Sequence, residues 1–134
     1  RDLHSFPTRR SSDLDSYIYR AIDFLKSLDG VRIVEEKDYI RHVKPNGYRS
    51  YHVILELEEP YEDVTGANPG HFYAEVQLRT IAMDSWASLE HQMKYKHDIK
   101  NPELIVRELK RCADELASCD VSMQTIRNLI HAQE

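Results

Sequence analysis

The sequence predicts an α+β domain: helices gathered on a β-sheet, with further helices at the C-terminal end. Three observations predict it. An amphipathic helical segment comes first, two segments in the middle alternate strictly between apolar and polar residues, and helical spacing returns after Thr80.

From Asp15 to Leu28 the apolar residues Tyr17, Ile18, Ala21, Ile22, Leu25 and Leu28 recur at helical spacing. Asp15 or Ser16 supplies an N-cap and Gly30 a stop. Val31 to Glu35 is a short strand candidate. Lys44-Pro45-Asn46-Gly47 has the chemistry of a turn, because Pro presets its second position and Asn and Gly tolerate the backbone of the later ones. Arg49 to Glu58 alternates, with Tyr51, Val53, Leu55 and Leu57 on one face. Glu59 to Gly70 is a loop by its Pro, Gly and Asn content. Phe72 to Arg79 alternates again, placing Phe72, Ala74, Val76 and Leu78 on the core face and Tyr73, Glu75, Gln77 and Arg79 on the other. Thr80 caps a helix reaching about Lys96. Asn101 and Pro102 start another, and Asp120 is expected to cap a last one.

The 134 residues suffice for one domain with a hydrophobic core, and 41% hydrophobic with 31% charged residues is ordinary for a globular protein. No apolar run approaches the length of a membrane span. A net charge of −5 argues against a general nucleic-acid coat, while leaving room for a local basic groove. The two cysteines, Cys112 and Cys119, lack metal-ligand spacing and read as thiols of a reducing cytoplasm.

Residues 1–14, RDLHSFPTRRSSDL, fit at every position one reading frame of a common sequencing-library adapter. They are set apart from the fold as a fusion scar, against the alternative of a basic, Ser-rich tail. Genuine sequence is then expected to begin near Asp15, with a preceding stretch lost.

Two clusters carry chemistry. Glu75, Gln77 and Arg79 project from one strand face, with the outer pair roughly 13 Å apart at Cα. A carboxylate, an amide and a guanidinium at that spacing suit a nucleotide, since phosphoryl-type transfer consists mostly of positioning and offsetting charge. A solvated strand face carries the same stripe. The Lys44 to His52 segment adds Lys44, Asn46, Tyr48, Arg49, Ser50 and His52 around the turn. Tyr48 can stack on a base, Asn46 can read its edge, and Lys44 and His52 can meet phosphate or ribose. Turn chemistry explains Pro45, Asn46 and Gly47, but not the cations and aromatics beside them.

Together KDYIRHVKPNGYRSYH (Lys37 to His52) and AEVQLRTIAMDSWASLEHQMKYK (Ala74 to Lys96) resemble the synthetase domain of the RelA/SpoT homologues, and in particular the small alarmone synthetases. The resemblance implies a nucleotidyltransferase-like synthetase domain with a mixed β-sheet flanked by helices. Residues 15–100 would be its C-terminal part and 101–134 its C-terminal helices. It implies pyrophosphate transfer from ATP to the 3′-hydroxyl of GDP or GTP, with Mg²⁺ as cofactor, in a cytoplasmic homo-oligomer, a tetramer by family. Glu75 matches the carboxylate that binds Mg²⁺ and assists deprotonation of the acceptor hydroxyl, and Tyr48 the aromatic that stacks on guanine. Lys44, Asn46, Ser50, His52 and Gln77 match residues around the acceptor, and Arg79 a phosphate or structural position. His91 and Lys96 fall in the helix signature.

Tyr51 departs from the family's usual Leu, on the core side. The family's basic ATP segment and second metal carboxylate, an Asp, lie upstream of the matching region. The residues in hand are thus expected to hold the acceptor half of the site. Two rivals stand beside this reading. One is a toxin-type synthetase acting on tRNA or adenine nucleotides. The other is a non-catalytic module that binds a nucleotide or RNA; Glu75 and the net acidity weigh against it.

Overall fold

Alternation builds the sheet, and the sheet positions everything else. The computed structural model describes residues 16–134; the reading of residues 1–14 and the cap assigned to Asp15 lie outside them. Three strands, β1 (Val31–Asp38), β2 (Tyr51–Glu59) and β3 (Gly70–Leu78), pair in sequence order. Both pairings are antiparallel, so the mixed character expected of the sheet is not present among the described residues.

Helix α1 (Ser16–Ser27) lies on one face of this sheet. Its Ile18, Tyr19 and Ile22 join Tyr51, Val53 and Leu55 of β2 in the core, with Leu25, Val76 and Leu78 packed against them. Burying each such side chain contributes roughly 1.5–3 kcal/mol. Tyr51, the departure from the family pattern, is buried and meets Tyr19 edge to face at 5.7 Å. Its effect is on packing, as its place on the strand predicts.

Strand β1 runs past Glu35, the expected end, to Asp38, because a bulge skips Val34. The bulge switches the pleat, so Glu36 and Asp38 stand opposite Val53 and Tyr51 on the core side. Both carboxylates find partners on or beside α1. Lys26 reaches Glu36 at 2.8 Å, and the Tyr19 hydroxyl donates to Asp38 at 2.7 Å. The loop between β2 and β3 is organised by Asp63, which accepts the backbone N–H groups of Thr65, Ala67 and His71.

Helix α2 (Ile81–Tyr95) begins as expected, with the Thr80 hydroxyl accepting the Met83 N–H at 3.1 Å. Helix α3 (Pro102–His131) corrects two expectations. Asn101 marks its start through a left-handed backbone, φ 53°, and not through a side-chain cap bond. Asp120 starts no second helix: α3 is one element of 30 residues. No Gly or Pro follows Pro102 to break it, and the Asp120 side chain instead accepts the Thr80 hydroxyl at 2.7 Å. None of the described helices is long and apolar enough to cross a membrane.

Candidate active site

The sheet face away from α1 carries the polar stripes. Register sets Glu75 opposite Ile54, and Gln77 opposite His52, which in turn faces Lys37 on β1. Partners in a ladder project to the same side, so Lys37, His52, Glu75 and Gln77 share one surface. Arg79, just past the end of β3, and Tyr48, just before β2, close its lower border.

A continuous hydrogen-bonded chain joins these groups. Gln77 Nε2 donates to Glu75 Oε1 at 3.2 Å, and Arg79 Nη2 donates to Gln77 Oε1 at 2.7 Å. The same Arg79 nitrogen donates to the Tyr48 hydroxyl at 2.7 Å, which lies 3.0 Å from His52 Nε2. Burial and then the Arg79 charge hold the His52 pKa below its ordinary value, against the pull of Glu75. A neutral ring fits the bonding: the Tyr48 hydroxyl accepts from Arg79 and donates to Nε2, which assigns the ring proton to Nδ1. The 3.8 Å approach of Nδ1 to Glu75 is therefore not an ion pair at neutral pH.

Tyr48 sits in an aromatic and cationic surround. Lys44 Nζ lies 5.3 Å from its ring centre and 4.6 Å from that of Tyr39, and the Trp86 ring is 6.3 Å away. Its backbone N–H goes to Asn46 Oδ1 at 3.0 Å, an Asx turn that fixes the approach to β2. The Asn46 carbonyl is thus engaged in its own turn, leaving the amide nitrogen for a ligand. Ser50 stands apart from the other candidates. It is fully buried, its hydroxyl directed at the Leu78 carbonyl 3.4 Å away, and it is not presented to the open face.

Of three residues that sequence reasoning left without a role, Tyr39 and Asp84 belong to this surround and Arg49 does not. Tyr39 packs edge to face on His52 at 5.3 Å; its position within the Lys37–His52 motif was the available signal. Asp84, in the first turn of α2, takes Arg79 Nη1 at 3.3 Å, a pairing across a strand–helix junction that no spacing rule gives. Arg49 turns away from the face altogether and donates to the Ala113 carbonyl of α3 at 2.8 Å. His91 and Lys96 take no part: His91 is exposed and stacks on Tyr95 at 4.3 Å, and Lys96 is the exposed C-terminal cap of α2.

As a metal ligand Glu75 offers one exposed carboxylate, and no cluster of three or more His, Cys, Asp or Glu side chains is placed to hold an ion among the described residues. That set fits a share in a Mg²⁺ site, since Mg²⁺ is commonly bound through one or two carboxylates plus substrate phosphates. It does not fit a self-contained metal cage.

Residues 9–100 match the model of the region found in RelA and SpoT proteins. The chain is 43% identical over 113 residues to the GTP pyrophosphokinase YwaC of Bacillus subtilis, covering 84% of this chain and 51% of that protein. It is 37% identical to YjbM, a GTP pyrophosphokinase of the same organism, over 71% of this chain and 43% of that one. Among solved structures, a GTP pyrophosphokinase family protein from Streptococcus pneumoniae superposes with a TM-score of 0.72 at 36% identity, covering 87% of this chain and 59% of that one. The small alarmone synthetase 1 of B. subtilis, bound to its product pppGpp, gives 0.71 at 33% identity, covering 84% and 56%. The chain thus spans about half the length of the curated relatives it matches. With more than half of its residues inside the family region and the fold shared with solved members, the chain belongs to the RelA/SpoT family.

Proposed function

We propose that these residues form the acceptor side of an alarmone synthetase, in which pyrophosphate passes from ATP to the 3′-hydroxyl of GDP or GTP. The observation that carries the reading is the bonded chain Glu75–Gln77–Arg79–Tyr48–His52 along one open sheet face. It puts a carboxylate at one end and a cation-flanked aromatic platform at the other. The activity for which the relatives are named supports it.

In this reading the guanine stacks on Tyr48, and Lys44 leaves the ring to meet the acceptor phosphates. Gln77 and His52 hold the ribose so that its 3′-hydroxyl lies beside Glu75. The 3′-oxygen attacks the β-phosphorus of ATP as its proton leaves toward Glu75, the bond from that phosphorus to the α,β-bridging oxygen breaks, and AMP departs. Arg79 fixes the amide of Gln77 and the hydroxyl of Tyr48 at once, so base platform and carboxylate keep their spacing. Mg²⁺, held in part by Glu75, would supply charge stabilisation of the transferred phosphates and a lowered pKa of the attacking hydroxyl.

The setting we propose is the cytoplasm, and the assembly a homo-oligomer. The apolar side chains Met123, Ile126, Leu129 and Ile130, exposed along the end of α3, favour the latter; light scattering of the purified protein checks it. Calorimetric titration with GDP, GTP and ADP tests the acceptor assignment. Guanine nucleotides should bind and ADP should bind at least tenfold more weakly. Equal binding of ADP would move the acceptor to adenine nucleotides or tRNA, and no nucleotide binding would remove the reading.

A further inference from the structure

Arg49 lies between Tyr48 and Ser50 in the acceptor segment, among the cations that turn chemistry does not explain. Its guanidinium turns away from the open face. Nη1 donates to the carbonyl of Ala113, 64 residues on and inside α3, at 2.8 Å. One turn earlier on the same helix, the Leu109 carbonyl accepts Trp86 Nε1 at 2.7 Å. Both carbonyls belong to a regular helix, so each donor occupies a lone pair beyond the one its own ladder uses.

The turn itself rests on the same stretch of α3. Gly47 has φ +98°, and a Cβ there would stand 2.7 Å from Ala113 Cβ and 3.7 Å from the Trp86 ring. Gly47 and Ala113 are both buried at this seam. Asp114, next along α3, has its pKa lowered chiefly by its bond to Lys110 at 2.8 Å, with a smaller effect from the Arg49 charge. Arg49 is thus committed to a backbone carbonyl while the Asp114 carboxylate is committed to Lys110. Within residues 44–50 the turn is closed on itself by bonds from the Tyr48 N–H to Asn46 Oδ1, from the Lys44 N–H to the Tyr48 carbonyl at 3.3 Å and from the Gly47 N–H to the Lys44 carbonyl at 2.9 Å. Lys44 Nζ lies 5.3 Å from the ring centre, and none of these contacts joins the turn to α3.

We infer that Arg49 is a positioning residue for the acceptor site: beside the Trp86 bond that joins α2 to the same helix, it fastens the 47–49 turn onto α3, and this docking presents the Tyr48 ring for stacking. The inference rests on the acceptor reading above and adds that a helix remote in sequence sets acceptor affinity. Losing the bond frees the turn to swing on its Asx hinge, so the ring spends less time in the binding-competent pose, and affinity falls by the competent fraction.

Trp86 is the single tryptophan of the chain, so its fluorescence reports this junction directly. GDP is titrated into the protein and into Arg49→Met, Arg49→Lys and Tyr19→Phe, with Trp86 emission, circular dichroism and urea unfolding followed in each. Tyr19→Phe removes the bond to Asp38 on the opposite sheet face and serves as the control for destabilisation at a distance. Expected are a loss of about tenfold in GDP affinity for Arg49→Met, partial recovery for Arg49→Lys, and unchanged affinity for Tyr19→Phe. Wild-type affinity in Arg49→Met overturns the inference, as does an equal loss in Tyr19→Phe. Should Arg49→Met not fold, Ala113→Val, which overpacks the seam against Gly47, is read in the same way. If wild-type protein binds no GDP, the acceptor reading falls on its own. The docking is then judged by emission and by amide exchange of residues 46–50, and no change in either for Arg49→Met overturns it.

Discussion

Glu75 and Tyr48 belong to the same bonded chain but differ in how much the fold depends on them. Glu75 is exposed on β3, and its bond to Gln77 is a surface contact. In a polypeptide carrying both halves of the site, Glu75→Gln should lower synthesis from ATP and GDP by at least a hundredfold with little change in melting temperature. It keeps size and removes the charge that metal and proton need. Near-normal turnover would take Glu75 out of the chemistry. Tyr48 is half-buried and makes contacts on several sides, so Tyr48→Ala should cost some stability as well as about 1–3 kcal/mol of acceptor binding, the range for stacking of a base on an aromatic ring. Separate titrations of acceptor and ATP decide the point, and equal losses would place Tyr48 outside the acceptor pocket. Residue identities made most of this cluster legible, because a period of two puts Glu75 and Gln77 on one face whatever the surroundings. Where each side chain ends was not legible. Ser50 and Arg49 sit in the motif as polar residues like their neighbours, yet one is directed at Leu78 inside the protein and the other at Ala113.

Elements behave according to what their polar groups find. The β2–β3 loop depends on one carboxylate: Asp63 gathers the Thr65 hydroxyl and three backbone amides, and these bonds, led by that hydroxyl, pull its pKa from 3.8 to about 2. A depressed folded pKa means the unfolded chain binds the proton more readily. The contribution is therefore complete above about pH 3.8 and is lost as pH falls towards 2. Asp63→Ala should lower the melting temperature at neutral pH, and its difference from wild type should shrink through that acid window. A constant difference across it would show that the loop does not depend on the ionised carboxylate. Asp120 makes a comparable link between α2 and α3, and Asp120→Ala should cost about 1–3 kcal/mol in urea unfolding by leaving the Thr80 hydroxyl without its acceptor. This link also explains why the end of the chain was the least legible part. Asp is a common cap, and Asp120 stands where a cap would divide the segment; only the tertiary partner Thr80 shows that it stabilises a continuous helix. Likewise the bulge at Val34, which lengthens β1, leaves no mark in the apolar pattern because Val31, Ile33 and Val34 read alike.

At the scale of the whole molecule, one sheet face is committed to the core and the other, on the reading proposed above, to the ligand, so binding and folding are linked. A nucleotide that binds only the folded protein stabilises it by RT ln(1 + [L]/Kd), about 2.7 kcal/mol at a hundred times Kd. For a domain of this size each kcal/mol corresponds to a rise of roughly 2–8 °C in melting temperature. GDP should produce a shift of several degrees and ADP at the same concentration a much smaller one. Arg49→Met, even if less stable at the outset, should need about ten times more GDP for the same rise, because the seam on α3 sets the pose of Tyr48 and affinity falls with the competent fraction. Tyr48→Ala should show a reduced shift at every GDP concentration while still melting cooperatively, since Val53, Leu55 and the α1 side chains lie on the far face. The test separates the two faces of the sheet. If Tyr48→Ala kept the full GDP shift, the nucleotide would be binding elsewhere on the fold. If it lost cooperative melting, the acceptor turn would be part of the core, and the division between a structural and a functional face would not hold.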